Sequence, residues 1–283
     1  TIPDSVTSIG DDAFYECTSL TSVTIGNGVT SIGNYAFKGC TGELFVNCNI
    51  PSSQYTYYNE RAFEESNFTS IIIGDGVTTI GNYAFNGSSN LMYIIIPNSV
   101  TTIGESAFYY CTKLESITLP SSINSIECNA FFGCSSLTSI NLPEGITNIG
   151  SGVFIACSNL SALYIPNSVK SIGEYAFMAC TNLSSINITD SITTIEYATF
   201  WDCKNLKDIV IPSNVYTIKD YAFYGCDNLA NVICLSQEPP ILEKEVFPYP
   251  NKATLQVPRG SLERYKASDW NKYFEGRIVE IEE

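Results

Sequence analysis

Histidine is absent from this sequence of 283 residues, and methionine occurs only twice. Serine and cysteine nucleophiles need a general base, most often histidine, so the sequence disfavours triad chemistry. No acidic side chain recurs at a position that would face a cleft. The glycines of IGNYAF and IGDGV recur as turn residues and do not form a phosphate-binding loop. We therefore predict that the protein is not an enzyme and has neither catalytic residues nor a cofactor.

Charged residues are also scarce, at 15% of the chain, and the formal net charge is −15. An acidic, lysine-poor body repels phosphate backbones, so we expect no nucleic-acid partner. The carboxylates lack the spacing of a calcium-binding loop, which predicts a solvated acidic surface and no metal site. No run of about 18 apolar residues occurs, so we expect no transmembrane segment in this chain.

The sequence does contain a repeat. The segments SVTTIGESAFYYCTKLESITL (99–119) and SVKSIGEYAFMACTNLSSINI (168–188) are nearly identical. One phenylalanine marks each copy, and successive copies are 23 residues apart except for one interval of 26 and one of 22. A fixed period of this size indicates a solenoid, in which each coil buries its apolar side against its neighbours. The ten phenylalanines are Phe14, Phe37, Phe63, Phe85, Phe108, Phe131, Phe154, Phe177, Phe200 and Phe223.

Other apolar positions recur around each phenylalanine. Ile172, Ala176 and Leu183 mark three of them, five residues before, one before and six after Phe177. The residues after the leucine alternate between apolar and polar, which predicts a short strand with one buried face. A proline such as Pro212 often follows, and proline ends a hydrogen-bonded ladder. The segment IGEYAF is too short for a long helix and is predicted to form a single helical turn.

The pattern C-x-x-L-x-x-I-x-I-P-x-S-V-x-x-I-G-x-x-A-F, followed by residues 111–131, resembles the BspA-like class of leucine-rich repeats. These repeats occur mainly in surface-exposed proteins of bacteria and some protists. The resemblance covers residues 1 to about 235. It implies an α/β, β-rich fold: a right-handed leucine-rich-repeat solenoid of about ten 23-residue coils, with a parallel sheet on one face. The usual inward asparagine is mostly replaced by serine or glycine, so we expect no continuous asparagine ladder at that position.

Two segments depart from the period. Residues 41–62 carry an insertion of three residues and place Tyr55 and Tyr58 where aliphatic residues are usual, which predicts an irregular coil. The opening TIPDSVTSIG matches the middle of a repeat, so the first coil is predicted to be truncated and the chain to begin inside a longer protein. We predict a solenoid over residues 1–235 and a C-terminal cap over residues 236–283.

The predicted cap lacks the repeat and is rich in proline. TLQV and GRIVEIEE are typical of strands. GSLERYKASDW predicts a helix that is capped by Ser261 and packs Leu262, Tyr265 and Trp270 inward. An open solenoid end exposes apolar core and an unpaired strand edge, so a closing module is physically required.

Eight of the eleven cysteines lie three residues after the repeat phenylalanine, and Ser66 and Ser88 take this position in two coils. The 23-residue spacing and the lack of histidine disfavour zinc. Parallel stacking keeps equivalent Cβ atoms about 4.8 Å apart, whereas a disulfide prefers about 3.8 Å. We predict a packing column of buried free thiols. Its members are Cys17, Cys40, Cys111, Cys134, Cys157, Cys180, Cys203 and Cys226.

The outward residues of the strands are predicted to line a concave face that is nearly uncharged and rich in hydroxyl groups. Tyrosine provides a large contact area and a hydrogen-bonding tip, which favours an interface. Threonine and tyrosine are also good strand formers, which would explain them without a ligand. The candidate ligand-binding residues are Tyr93, Ile95, Thr118, Asn141, Tyr164, Asn187, Asp208 and Val210.

Two functions fit such a scaffold. The resemblance implies a cell-surface or secreted interaction protein, adhesin-like, that binds host or neighbouring-cell proteins. The alternative is a carbohydrate-binding surface module in which Tyr93, Tyr164 and the tyrosines at 55, 57 and 58 stack on sugar rings. In either case we expect an extracellular or cell-surface location, a protein or glycan partner, and a monomer.

Overall fold

A computed structural model describes residues 1–50, 62–248 and 252–282. The chain forms two compact units, Thr1–Ile146 (unit 1) and Thr147–Glu283 (unit 2). Each unit is a parallel β-solenoid, and the two contain about eleven coils in total, which confirms the predicted class of fold. A regular coil consists of two strands and a turn segment around the repeat phenylalanine. The first strand, called the longer strand here, has two to seven residues, and the second strand has only two.

Unit 1 contains two kinds of parallel ladder. The longer strands form a four-stranded sheet, β2-β4-β5-β7, and a pair, β9-β11, while the two-residue strands form β1-β3 and β6-β8-β10. The bounds are β1 Ser8–Ile9, β2 Ser22–Ile25, β3 Ser31–Ile32, β4 Thr41–Val46, β5 Asn67–Ile73, β6 Thr79–Ile80, β7 Tyr93–Ile95, β8 Thr102–Ile103, β9 Ser116–Thr118, β10 Ser125–Ile126 and β11 Ser139–Asn141.

Unit 2 repeats this arrangement. Its longer strands pair as β13-β15 and as β17-β19-β21-β22, and its short strands as β12-β14 and β16-β18-β20. The bounds are β12 Asn148–Ile149, β13 Ala162–Leu163, β14 Ser171–Ile172, β15 Ser185–Ile186, β16 Thr194–Ile195, β17 Asp208–Ile211, β18 Thr217–Ile218, β19 Asn231–Cys234, β20 Ile241–Leu242, β21 Thr254–Val257 and β22 Ile278–Glu280.

The repeat phenylalanines form an interior column in each unit. In unit 1 the rings of Phe108 and Phe131 stack with centroids 5.3 Å apart, and in unit 2 those of Phe177 and Phe200 stack at 5.5 Å. Every member from Phe37 to Phe223 is fully buried. The predicted stacking of one aromatic side chain per coil is therefore confirmed within each unit.

The turn segments are not the single helical turns that the sequence predicts. Tyr175 and Ala179, two residues either side of Phe177, have φ angles of +59° and lie in the left-handed region. In this conformation, the N–H group of every second residue of the turn segment points towards the next coil. Phe177 thus donates its N–H to the carbonyl of Thr199 in the next coil, at 2.9 Å. The turn segments are held to one another by backbone hydrogen bonds, as the strands are.

The irregular coil of unit 1 is described only in part. Strand β4 pairs with β5 through a register shift between Gly42 and Glu43, and Gly42 has a φ of +92°. Beyond β4, Ile50 forms an isolated parallel bridge to Ile80, which takes the place of a short strand. The predicted tyrosines at 55, 57 and 58 lie outside the described residues.

The stack of unit 2 runs one coil further than the phenylalanine spacing predicted. Phe247 stacks on Phe223 with centroids 5.3 Å apart, and β20 and β21 extend both ladders. The end of this column is covered by Trp270, whose indole N–H donates to the Pro240 carbonyl at 2.8 Å, and by Phe274. The domain boundary after residue 235 stays a prediction.

The C-terminal residues form two short helices, α1 (Leu262–Lys266) and α2 (Trp270–Phe274), where one helix was predicted. The predicted capping by Ser261 is wrong, because its hydroxyl donates to the Pro258 carbonyl at 2.5 Å. Tyr265 and Trp270 are fully buried as predicted, whereas Leu262 is half-buried. The predicted strands at TLQV and GRIVEIEE are present as β21 and β22.

Candidate functional site

The cysteine position supplies a hydrogen-bond donor to the core. Cys180 donates its thiol to the Phe154 carbonyl of the preceding coil at 3.1 Å, and Cys203 does the same to Phe177 at 3.2 Å. Burial raises the pKa of the Cys180 thiol to about 12, which keeps it protonated. None of the eight column cysteines is in a disulfide, and all except half-buried Cys17 are buried, as the sequence predicts. The buried thiols of the column therefore serve the packing of the fold.

The sheet face, defined here as the outward side chains of the longer strands, carries an apolar row in unit 1. Phe45, Ile72 and Ile95 lie side by side in the register of β4, β5 and β7. Ile95 is 54% exposed, and Phe45 and Ile72 are half-buried. Tyr93 lies on the same face and is 47% exposed. With strands about 4.8 Å apart, the row is roughly 10 Å long.

Next to this row, Ser70 departs from the sequence pattern. Its outward position predicts exposure, yet it is 1% exposed, and within the described residues its hydroxyl has no hydrogen-bond partner. Thr118 and Asn141 are paired across β9 and β11, and both are exposed. The sheet face of unit 1 therefore changes from apolar to polar along the stack.

The sheet face of unit 2 is more polar, and part of it is committed to the fold. Asn187 donates its amide to the Ile165 carbonyl at 2.8 Å and accepts from the Ile165 N–H at 2.7 Å. These two bonds take the place of the backbone hydrogen bonds that would continue the sheet beyond the ends of β13 and β15. Asp208 accepts a hydrogen bond from the Asn231 amide at 2.6 Å. Tyr164, at 59% exposure, and Val210, at 43%, remain open to solvent.

The eight predicted residues are thus on the solvent side of their strands or directly beside them, with Asn187 half-buried and the others exposed. The fold brings Tyr93 and Ile95 onto one strand of unit 1, and Asp208 and Val210 onto one strand of unit 2. Whether they bind a ligand stays a prediction. Phe45 was not identified, because it lies in the irregular coil, where the repeat no longer marks the outward positions.

A second surface was also missed. The turn segments of unit 2 carry an aromatic patch, defined here as Tyr175, Tyr197, Trp201, Tyr221 and Tyr224. Tyr224 is 39% exposed and the other four are half-buried. A sequence signal exists, because Trp201 and Tyr224 both directly follow a repeat phenylalanine in successive coils. These two positions are not part of the buried repeat pattern, so an alignment on buried residues does not identify them.

Over residues 1–50, 62–248 and 252–282, no group of three or more His, Cys, Asp or Glu side chains is placed to hold a metal ion. The described part of the chain also contains no helix that is both long and apolar enough to span a bilayer.

Comparison with known proteins identifies relatives of this architecture. The family model for the BspA type leucine rich repeat region matches residues 1–115, 56–180, 101–230 and 147–260. A leucine-rich repeat protein of T. pallidum (TpLRR) is 32% identical, with a TM-score of 0.56, over 58% of this chain and 79% of that one. A leucine-rich cell surface protein of Faecalibacterium prausnitzii is 26% identical, with a TM-score of 0.50, over 100% and 78%.

The pneumococcal vaccine antigen PcpA shares the fold, with a TM-score of 0.55 at 18% identity, over 98% of this chain and 85% of its own. Comparison with curated protein sequences gives no match. The family model covers well over half of the chain, and the coils it describes are those seen in both units. The protein is a repeat scaffold, and it belongs to the family of BspA-type leucine-rich repeat proteins.

Proposed function

We propose that this chain is a non-catalytic protein-interaction scaffold, secreted or displayed at a cell surface, that binds host or neighbouring-cell proteins in the manner of an adhesin. Solenoids of stacked coils present long, rigid surfaces, and binding to such a surface loses little conformational entropy. The location is supported by the F. prausnitzii relative, which is named a cell surface protein.

One observation carries the proposal: the exposed apolar row of the unit 1 sheet face. About half of the surface of Ile95 and of Tyr93 is exposed to solvent, next to Ile72 and Phe45. Solvent-exposed apolar clusters with a polar surround mark interaction sites, and aromatic residues provide much of the binding energy at protein interfaces. Thr118 and Asn141 provide the polar surround on one side.

The experiment measures binding of the immobilised chain to a panel of purified extracellular-matrix and cell-surface proteins, in parallel with a glycan array. We expect at least one protein ligand, and we expect Tyr93→Ala with Ile95→Ser to weaken it at least about tenfold, as for residues at the centre of an interface. Tyr164→Ala tests the sheet face of unit 2 separately.

Tyr216→Ala is the matched control, because Tyr216 is 65% exposed but precedes the short strand β18 and lies outside the sheet face. The proposal fails if the double variant binds its protein ligand as tightly as the wild type. Binding to glycans alone, lost in Tyr93→Ala or Tyr164→Ala, would instead identify a carbohydrate-binding module.

A further inference from the structure

The aromatic patch of unit 2 has the geometry of a recognition surface. Trp201 and Tyr221 are stacked, with centroids 5.4 Å apart and an interplanar angle of 22°. Tyr197 lies across Tyr221 at 5.7 Å, and Tyr175 lies across Tyr197 at 5.1 Å, both edge to face. Tyr224 meets the Trp201 ring edge to face at 5.9 Å. The rings therefore present π faces in several directions over successive coils.

Carboxylates surround these rings. The carboxylate of Glu245 is the main cause of a raised pKa for Tyr221, followed by partial burial, Tyr197 and then Asp220. Glu174 is exposed next to Tyr175, and Asp202 directly follows Trp201. The Tyr221 hydroxyl thus lies in a negative potential.

A cleft of about 300 Å³ lies one coil beyond Tyr221, whose backbone N–H donates to the carbonyl of the cleft residue Lys244 at 3.2 Å. Glu243, Glu245 and Asp269 contribute carboxylates to it, and Lys244 and Lys272 contribute ammonium groups. Lys272 already lies 5.3 Å from the ring centroid of Tyr273 at the cleft wall. The contact shows that this wall accommodates a cation over an aromatic ring.

The basic groups near the patch do not neutralise it. Lys219 is held by Glu196 at 2.6 Å, so that this pair is internally balanced. Lys244 and Lys272 are outnumbered by the three carboxylates of the cleft. Glu174, Asp202 and Asp220 add further negative charge along the rings.

We propose that the aromatic patch and its acidic cleft bind an arginine-containing basic segment of a partner protein. Guanidinium groups stack on tryptophan and tyrosine faces and gain from nearby carboxylates, and arginine does so better than lysine because its charge is planar and weakly hydrated. A neutral sugar would gain nothing from the negative potential, and an anionic polymer would be repelled. The inference adds a second surface to the proposed protein-binding function and depends on that function only for the class of partner.

The distance between coils sets the spacing of the arginines in the peptide ligand. Trp201 and Glu245 belong to coils two steps apart, or about 10 Å at about 4.8 Å per step. In an extended peptide, arginines three residues apart span about 10 Å. The probe is therefore a blocked glycine-serine peptide with two arginines at that spacing. An identical peptide with citrulline, which keeps the shape but lacks the charge, is its partner control.

Affinity is measured by calorimetry on the full chain at low salt, and contact by tryptophan fluorescence. Trp201 is the half-buried tryptophan, while Trp270 is fully buried in the core, so a ligand-induced change reports on Trp201. We expect the arginine peptide to shift the emission and to bind at least about tenfold more tightly than the citrulline peptide. Added salt should weaken the complex.

Variants separate this surface from the sheet face. We expect Trp201→Leu to lose about five- to thirtyfold in affinity, and Glu245→Gln about threefold. The matched control is Tyr109→Leu, because Tyr109 in unit 1 also directly follows a repeat phenylalanine and stacks on a neighbouring ring at 4.6 Å. Tyr93→Ala with Ile95→Ser should leave peptide binding unchanged.

Equal binding of the arginine peptide by wild type and Trp201→Leu would overturn the inference. So would a Trp201 emission change with neutral oligosaccharides and none with the arginine peptide, which would assign the patch to a glycan. If the Tyr93→Ala, Ile95→Ser variant loses its protein ligand but still binds the arginine peptide, this inference is unaffected. If Trp201→Leu loses the arginine peptide but still binds the protein ligand, the proposed function is unaffected.

Discussion

The regular coils of unit 2 and the coils around Phe63 and Phe85 in unit 1 solve one packing problem with different atoms. In unit 2 a thiol donates to the phenylalanine carbonyl of the preceding coil, as Cys226 does to Phe200 at 3.2 Å. In unit 1 the hydroxyl of Ser88 lies 3.3 Å from the Phe63 carbonyl and 3.0 Å from the Ser66 hydroxyl. The shared requirement is a small buried donor, and sulfur is one way to meet it.

The ring angles also differ between the two regions. Phe177 and Phe200 stack within 7° of parallel, whereas Phe63 and Phe85 are tilted by 39° at the same centroid distance of 5.5 Å. All four rings are fully buried. The column thus keeps its spacing and tolerates rotation, because the backbone hydrogen bonds between coils fix the distance while the rings adjust within it.

The largest effect that separates the two kinds of coil is expected at alkaline pH. Burial raises the pKa of Cys180 from 9.0 to about 12. Because the pKa of this thiol is higher in the folded than in the unfolded state, the thiol's contribution to the free energy of unfolding is complete below about pH 9. It is lost as the pH rises towards 12. Within that window the Cys180 thiol should lower the free energy of unfolding by about 1.4 kcal/mol per pH unit. Urea unfolding at pH 7, 9, 10 and 11 measures it.

Serine does not ionise in this range, so the alkaline loss should shrink when Cys180 and Cys203 are both replaced by serine. Tyrosine and lysine titration contribute equally to both chains and cancel in the comparison. An alkaline transition at the same pH in the wild type and the double variant would show that the thiols do not govern it.

The next largest effect is expected from truncating the column. Phe177→Ala removes a fully buried ring with neighbours on both sides, at 5.6 Å and 5.5 Å, and should lower the free energy of unfolding by about 3–5 kcal/mol. Urea unfolding measures the loss. Tyr164→Ala, which removes an exposed ring from the same unit, should change stability by no more than about 0.5 kcal/mol. A loss below about 1 kcal/mol for Phe177→Ala would contradict the column.

A smaller effect tests the donor itself. Ser88→Ala leaves the buried Ser66 hydroxyl without its 3.0 Å partner and should cost about 1–3 kcal/mol. Ser88→Cys restores a donor and should cost less than half as much. If the alanine and cysteine variants unfold at the same urea concentration, the position selects for volume alone.

The smallest effect is the reverse exchange in unit 2. Cys180→Ser keeps a donor for the Phe154 carbonyl and should cost no more than about 1 kcal/mol at pH 7, whereas Cys180→Ala also leaves a small void and should cost more. Thermal unfolding of the two variants in parallel ranks them. An alanine variant that is more stable than the serine variant would reverse the interpretation of this position.

The sequence predicts the architecture well because burial recurs at fixed positions. The residue types at the positions of Phe177, Leu183 and Ile172 recur every 23 residues, and this recurrence is explained by stacked coils. The two-residue strands, such as β14, are too short for alternation to show, so the second ladder could not be predicted. The turn segments were misjudged because Tyr175 and Ala179 adopt positive φ without being glycine, and the neighbouring coil stabilises this conformation.

The eleventh coil was missed because Phe247 follows Phe223 by 24 residues and is followed by a proline, which hides it from a strict period. The candidate sites were harder still. Alternation predicts which side chains point outward, and it does so for Tyr93, Ile95 and Val210. It does not predict that the Asn187 amide is used by the Ile165 backbone, nor that Trp201 and Tyr221 meet across successive coils.

Most links between coils join equivalent groups in each coil. Repeat phenylalanines donate their N–H groups to the next coil, as Phe200 does to Ala222, while column thiols donate to the preceding coil, as Cys203 does to Phe177. A whole repeat copied in frame by recombination would find matching partners on both of its sides, whereas a fraction of a repeat would leave donors and carbonyls unmatched. Genes for such chains can therefore lengthen or shorten by entire repeats, which lets the reach of the protein evolve separately from its stability.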